Sequence, residues 1–347
     1  MFSKYSRLLY FGPSTWGSTC LQRFNALRSL FEVAYYVDSR RVFPDKKAGR
    51  TLLHSLQGRL GYGPVIKRSE EILIQEAARF KPDMLWIDGG FLVSDKALES
   101  IRHQFNCFLV HYTPDSLAAP GMSNRCMRKA VAAYDAVVTT KQQDIPLYKH
   151  LCARRIIFSL QGYDPSIHRP AALSTDERRR LSCDVSFIGQ YMKDRAAVLN
   201  TLSCYQELNL RLYGTGWNCR AASPKLKSLF YGPAVGDEYA KAICASRISL
   251  GFLNHLVGDT YTTRTFEIPA CAGFFLAERT EMHQQLFLED SEAVFFSSVE
   301  ELKDKIRFYL KHDKERKKIA NAGYRKVTST GYTWRHLTEK TLYEIQQ

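Results

Sequence analysis

No run of about 18 apolar residues, the length a membrane-crossing helix needs, occurs anywhere in the 347-residue chain. The first residues, Met-Phe-Ser-Lys-Tyr-Ser-Arg, lead at once into a strand-like stretch and hold no apolar segment of secretory-signal length, so a soluble, cytoplasmic protein is expected. None of the nine cysteines forms a Cys-x-x-Cys pair, and no histidine joins them at zinc spacing. Several lie in apolar runs, as Cys107 does in Cys-Phe-Leu-Val, and read as small reduced core residues rather than disulfides or metal ligands. No helix-turn-helix, RNP or zinc pattern is found, which argues against a nucleic-acid binder.

What is present is an ordinary globular balance, 45% hydrophobic and 24% charged, with a formal net charge of +14. That excess favours an anionic partner such as a nucleoside diphosphate or a phospholipid surface. Part of it is local. Residues 303–326 hold ten Lys and Arg against Asp304, Asp313 and Glu315, set between Ile306, Tyr309, Leu310 and Ile319 as on the wet face of a helix. The helices over 299–327 are therefore the place expected for peripheral contact with an anionic membrane at its inner face.

Short β runs alternate with helical patterns, which signals βαβ units and a parallel sheet. Strands are expected at Arg7–Phe11, Val33–Val37, Met84–Asp88, Cys107–His111, Ala136–Thr139 and Arg155–Ser159, with a polar stretch from the second of these through Gly63. A break rich in Gly, Pro and charge follows, from Gln161 to Ser182. The alternation then restarts, with strands at Asp184–Ile188, Leu208–Tyr213, Ile248–Leu253, Phe274–Ala277 and Ala293–Phe296. The expected organisation is an N-terminal Rossmann-like domain over 1–165, a linker over 166–182, a C-terminal Rossmann-like domain over 183–330, and a last helix over 331–347 that crosses back to the first domain.

In open α/β sheets, ligands bind where strands end and helices begin. The first such loop, Gly12-Pro-Ser14-Thr-Trp-Gly17-Ser18-Thr19, lacks Gly-x-Gly-x-x-Gly but allows close backbone approach, with Ser18 or Thr19 able to cap the next helix. Ser14, Gly17 and Ser18 are its candidates for an acceptor or diphosphate wall. After the fourth strand, His111 and Asp115 form a candidate polar pair over a cleft. In the second half, Gly189 and then Arg195 follow one strand, and Gly214 and Gly216 follow the next. The richest segment runs from Asp259 to Leu276. Thr262 or Thr263 opens a helix there, with Arg264 and Glu267 three apart on one face. A guanidinium and helix N–H groups suit a diphosphate, and a carboxylate one turn deeper suits ribose hydroxyls. An i,i+3 salt bridge on an ordinary helix is the bland alternative.

Asp259 to Leu276, Glu278-Arg-Thr280, Glu292 to Leu302 and Ile319-Ala-Asn-Ala-Gly323 resemble the group 1 glycosyltransferases, and within them the CgeB-like spore-maturation proteins. Gly162-Tyr-Asp-Pro165, His168-Arg-Pro170 and Gly12 to Arg23 look like the same family. The resemblance implies a GT-B fold, two doubly wound Rossmann-like domains facing across a cleft. It also implies sugar transfer of the hexosyltransferase type from a nucleotide-sugar donor to a glycan, lipid-linked or protein acceptor, with no cofactor or essential metal and with retention of anomeric configuration. By the same resemblance two acids separated by seven residues contact the donor: Glu267 would hold the ribose and Asp259 would lie near the transferred sugar. Thr263, Arg264 and Arg195 would face the diphosphate, and His111 would sit beside the sugar. A nucleotide-sugar epimerase of the same fold, or a catalytically degenerate sugar- or nucleotide-binding protein, are the rival readings.

Overall fold

The computed structural model describes residues 5–14, 18–43, 52–205 and 208–347, except for the side chains of 52–55. The chain divides into two compact units. The first comprises residues 1–161, 255–259 and 334–347, and the second comprises 162–254 and 260–333.

The first unit is built on a six-stranded parallel sheet: β1 (Arg7–Gly12), β2 (Val33–Asp38), β3 (Met84–Asp88), β4 (Phe108–Thr113), β5 (Ala136–Thr139) and β6 (Ile156–Phe158), in the order β2-β1-β3-β4-β5-β6. β3 and β5 are buried at every position, as expected of strands with helices on both faces. The order reverses between β1 and β3, a topological switch point at the carboxyl edge. On one face, Leu9, Leu85, Leu109 and Val137 pack with Leu73, Leu98 and Ile101 from helices Pro64–Phe80 and Asp95–Phe105. The other face packs on helices Thr19–Arg28 and Trp334–Gln346, where Trp334 Nε1 donates to Gln22 Oε1 at 3.0 Å.

The second unit carries a five-stranded parallel sheet: β7 (Cys183–Ile188), β8 (Leu210–Tyr213), β9 (Ser246–Gly251), β10 (Phe275–Glu278) and β11 (Val294–Phe296), in the order β11-β10-β9-β7-β8. Its switch point lies between β7 and β9. Val185, Phe187, Ile248, Leu250 and Leu276 pack beneath helices Lys193–Ser203 and Val299–Lys311. Helix Asp313–Ser329 approaches helix Arg264–Ala270 at Gly323, where a Cβ would collide with the Glu292 carbonyl oxygen and touch Pro269.

Several elements differ from the sequence expectation for physical reasons. The polar stretch before Gly63 contains helix Leu52–Leu60. Residues 166–182, expected as linker, lie within the second unit; Ser174 and Glu177 form a capping box that starts helix Thr175–Leu181. β4 runs on to Thr113, so His111 sits inside the strand rather than at its end.

Candidate functional site

At the carboxyl edge of the second sheet, glycine geometry shapes the turns. Gly214 has φ +118°, and a Cβ there would collide with the Gly189 carbonyl oxygen, so the turns after β7 and β8 lie against each other. That same oxygen accepts a hydrogen bond from Trp217 Nε1 at 2.8 Å. Gly216, at φ +82°, faces the Cβ of Tyr191.

Two guanidinium groups stand at the switch point. Arg264 Nε donates to the Ile188 carbonyl at 3.2 Å, the last residue of β7, and the side chain keeps 35% of its surface exposed. Arg195 donates from Nε (3.1 Å) and Nη2 (2.9 Å) to the Leu253 carbonyl, beyond the end of β9, and from Nη1 to the Gln190 carbonyl at 3.3 Å. Arg264 therefore presents charge at the sheet edge, whereas Arg195 ties the loops after β7 and β9 together.

Thr263 precedes the helix as expected but does not cap it with its hydroxyl, because its own backbone is already helical. Instead the Thr265 hydroxyl accepts from the Thr262 N–H at 3.2 Å. Thr265 also faces His283 Nε2 at 3.0 Å, and His283 Nδ1 faces the Glu278 carbonyl at 2.7 Å. Since a carbonyl only accepts, Nδ1 carries the His283 proton; burial pushes this histidine down to about 4 and keeps it neutral.

Glu267 lies one turn into the helix and is 4% exposed. Its Oε2 accepts from the Tyr239 hydroxyl at 3.0 Å, and its Oε1 faces His168 Nε2 at 3.6 Å. The Asp164 N–H donates to His168 Nδ1 at 3.1 Å, which places the imidazole proton on Nε2, toward the carboxylate. Burial lowers the His168 pKa, against the opposing pull of Glu267. Arg264 Nε is 3.9 Å from Glu267 Oε2, so the i,i+3 spacing does bring the pair together, one member at the surface and one buried. Sequence reasoning missed His168 and Tyr239. His168 stood in a presumed linker, and the available signal was the His-Arg-Pro motif itself.

The first sheet's carboxyl edge is arranged differently. Thr113 and Thr139 are registered partners on β4 and β5. Each accepts from the N–H two residues on, Asp115 at 3.2 Å and Lys141 at 3.1 Å, so the two chains turn alike and leave Asp115 and Lys141 at neighbouring positions. Lys141, with a side chain only 1% exposed, forms an ion pair with Asp259. The neighbouring Gly258 carbonyl accepts from Gln143 Nε2 at 2.8 Å. Asp115 is reached by solvent yet crowded by protein. That crowding raises its pKa, Lys141 opposes the rise, and the charge of Asp259 adds to it. Lys141 was not among the residues expected from sequence; the strand register alone brings it here.

His111 is fully buried, stacked on Tyr134 with ring centroids 5.0 Å apart, and its Nε2 faces the Gly89 carbonyl at 3.4 Å. Burial pushes it down to about 4. A Cβ on Gly90, at φ +73°, would press on the imidazole, so His111 shapes the turn after β3. Ser18 is the N-cap of helix Thr19–Arg28, accepting from the Cys20 N–H at 3.1 Å. Ser14 donates from Oγ to Asp38 at 2.6 Å and takes a bond from Arg40 at 2.9 Å. Gly17 lies outside the described residues. Among the described residues no group of three or more His, Cys, Asp or Glu is placed to hold a metal ion, and no helix is long and apolar enough to cross a membrane.

Solved structures of the same architecture match nearly the full length of the chain. A sucrose-phosphate synthase from Thermosynechococcus elongatus superposes with a TM-score of 0.68 at 13% identity, covering 98% of both chains. Anabaena HepE in complex with UDP-glucose gives 0.65 at 11%, covering 98% of this chain and 99% of that one. The fold is GT-B. A UDP-GlcNAc 2-epimerase from Neisseria meningitidis, bound to UDP-GlcNAc, gives 0.54 at 10%, again over 98% and 99%. The sequence profile of a glycosyl transferase-like family matches residues 195–342, from Arg195 through the segment holding Arg264 and Glu267. No curated protein matches the sequence.

Proposed function

We propose that this GT-B chain is a glycosyltransferase that takes a sugar from a nucleoside-diphosphate sugar. The carrying observation is the pairing of Arg264 at the end of β7 with a buried Glu267 held by Tyr239 and His168. In this reading the ribose hydroxyls donate to Glu267. The turns at Gly189, Gly214 and Gly216 admit the nucleotide, and Arg264, next to Thr263, faces the diphosphate. Arg195 acts indirectly, by holding the loops after β7 and β9. The bond between the anomeric carbon and the diphosphate oxygen breaks, the nucleoside diphosphate leaves with the electron pair, and Arg264 meets the charge that develops on it. An acceptor hydroxyl oxygen bonds to the anomeric carbon and gives up its proton.

On the first unit, Asp115 is the group proposed to take that proton, because its raised pKa makes it a stronger base than an ordinary carboxylate. Asp259, fixed by Lys141, is assigned to the transferred sugar. His111 is a positioning residue for the turn at Gly89–Gly90, and Ser14 and Ser18 form the wall after β1. Retention of configuration, a glycan, lipid-linked or protein acceptor, and membership of the CgeB-like group complete the reading on the strength of the sequence resemblance.

The superposition on an epimerase supports a second reading, conversion of the donor sugar without an acceptor. A thermal-shift panel of nucleoside diphosphates and nucleotide sugars tests the donor site, and product analysis after incubation with the nucleotide sugar alone separates the two readings. A ligand at about 100 times its Kd adds about 2.7 kcal/mol of stability. Stabilisation by a nucleotide sugar, lost in Arg264→Ala, is expected. Absence of any shift overturns the donor site, and epimerised product from donor alone selects the second reading.

A further inference from the structure

Nine large apolar side chains stand exposed among the described residues, and three of them fall within seven consecutive positions: Leu56 (53% exposed), Leu60 (44%) and Tyr62 (64%). Leu56 and Leu60 lie one turn apart on helix Leu52–Leu60, so they share a face, with Arg59 exposed beside them. Tyr62 follows immediately, after Gly61 at φ +72° turns the chain.

This helix end is fixed to a second basic element. The buried Asn124 side chain donates to the Gly58 carbonyl at 2.6 Å and accepts from the Met127 N–H at 2.8 Å, capping helix Arg125–Ala130. Gly61 packs so close to the same place that a Cβ would meet the Cys126 N–H. Exposed Arg125 is thereby set beside Gly61, while Arg128 and Lys129 lie further round the same helix, at a recess of about 510 Å³ also lined by Pro120 and Ser123. Exposed Lys67 and Arg68 lie in the first turns of the next helix, followed by half-buried Glu70 and exposed Glu71. Contiguous exposed apolar side chains rimmed by cations are the pattern of a surface that enters a charged bilayer interface.

We infer that this face of the first unit docks on an anionic phospholipid surface, with Leu56, Leu60 and Tyr62 entering the headgroup boundary and Arg59, Lys67, Arg68 and Arg125 meeting lipid phosphates. Charge complementarity selects the bilayer as occupant: Arg59 on the same helix, Lys67 and Arg68 on the next, and Arg125 beside Gly61 set four cations near the trio, against Glu70 and Glu71. On the 299–327 helices, by contrast, one large apolar side chain, Phe308, stands exposed among the cations. The inference does not rest on the donor site.

Co-sedimentation of the full chain with phosphatidylcholine vesicles, with and without phosphatidylglycerol, is the test. The chain pellets with the anionic vesicles and stays in solution with the neutral ones. The triple variant Leu56→Ser, Leu60→Ser, Tyr62→Ser, and separately Lys67→Glu with Arg68→Glu, each weaken partitioning by about tenfold or more. Unchanged melting temperatures show that these exposed substitutions leave the fold intact. Lys314→Glu with Lys318→Glu, on helix Asp313–Ser329, leaves binding within about twofold. Failure of the wild-type chain to pellet overturns the inference. So does wild-type binding by the triple variant, or loss only in the Lys314/Lys318 variant. A dimer that the triple variant dissolves, without vesicle binding, assigns the patch to a second copy of the chain and equally overturns it.

Discussion

Both sheets end in glycine-bearing turns at a switch point, yet the two edges gather their polar groups by different routes. In the second unit, one short helix delivers Arg264 and Glu267 through i,i+3 spacing, and the fold then adds Tyr239 and His168 behind the carboxylate. In the first unit nothing is local. Asp115, Lys141 and Asp259 come from three distant stretches, joined by the Thr113–Thr139 register and the placement of residues 255–259. The acids Asp259 and Glu267, separated in sequence by seven residues, belong to different units. A helix-encoded pair survives modest change elsewhere; an assembled trio depends on every element that brings it together.

The largest effect should come from breaking the assembled edge. Lys141→Met leaves the Asp259 carboxylate without its buried cation and should cost about 3–5 kcal/mol in urea unfolding. Adding Asp259→Asn should recover most of that; a double variant no better than the single would separate the two residues energetically.

Acid comes next, and it tests whether the two units respond alike. In His111 and His283 burial pushes the folded-state pKa from the ordinary imidazole value of about 6.5 down to about 4. The unfolded chain then binds more protons, so stability is full above about pH 6.5 and falls as pH drops toward 4, by up to about 3 kcal/mol for each histidine. His111→Phe should remove the first unit's share of that slope, and an unchanged profile would mean the ring is hydrated.

At the second edge, Glu267→Gln should weaken nucleoside diphosphate binding by about 2 kcal/mol, roughly thirtyfold by calorimetry, while retaining the native circular dichroism. Unaltered affinity would move the ribose elsewhere. The smallest effect is expected at Ser18→Ala, about 1 kcal/mol of stability from the lost cap, with donor affinity unchanged.

Much of this edge chemistry was legible before folding was considered. The approach of Arg264 to Glu267 follows from i,i+3 spacing, because helical period is a local property. Ser18 was found because caps obey short-range rules. His111 was misread as a strand-end residue because β4 continues two residues further than its apolar run suggests, and the imidazole stacks into the core. Lys141 and His168 were invisible as site residues, since neither has a partner within reach along the chain.

The alternation of short apolar strands with amphipathic helices determined by itself that two parallel α/β units would form, because the burial period of each element is written in consecutive residues. Which side chains meet at the strand ends was decided only in three dimensions. Strand order, register and the path of residues 255–259 set those distances, and such long-range choices are fixed by packing that no short window of sequence contains.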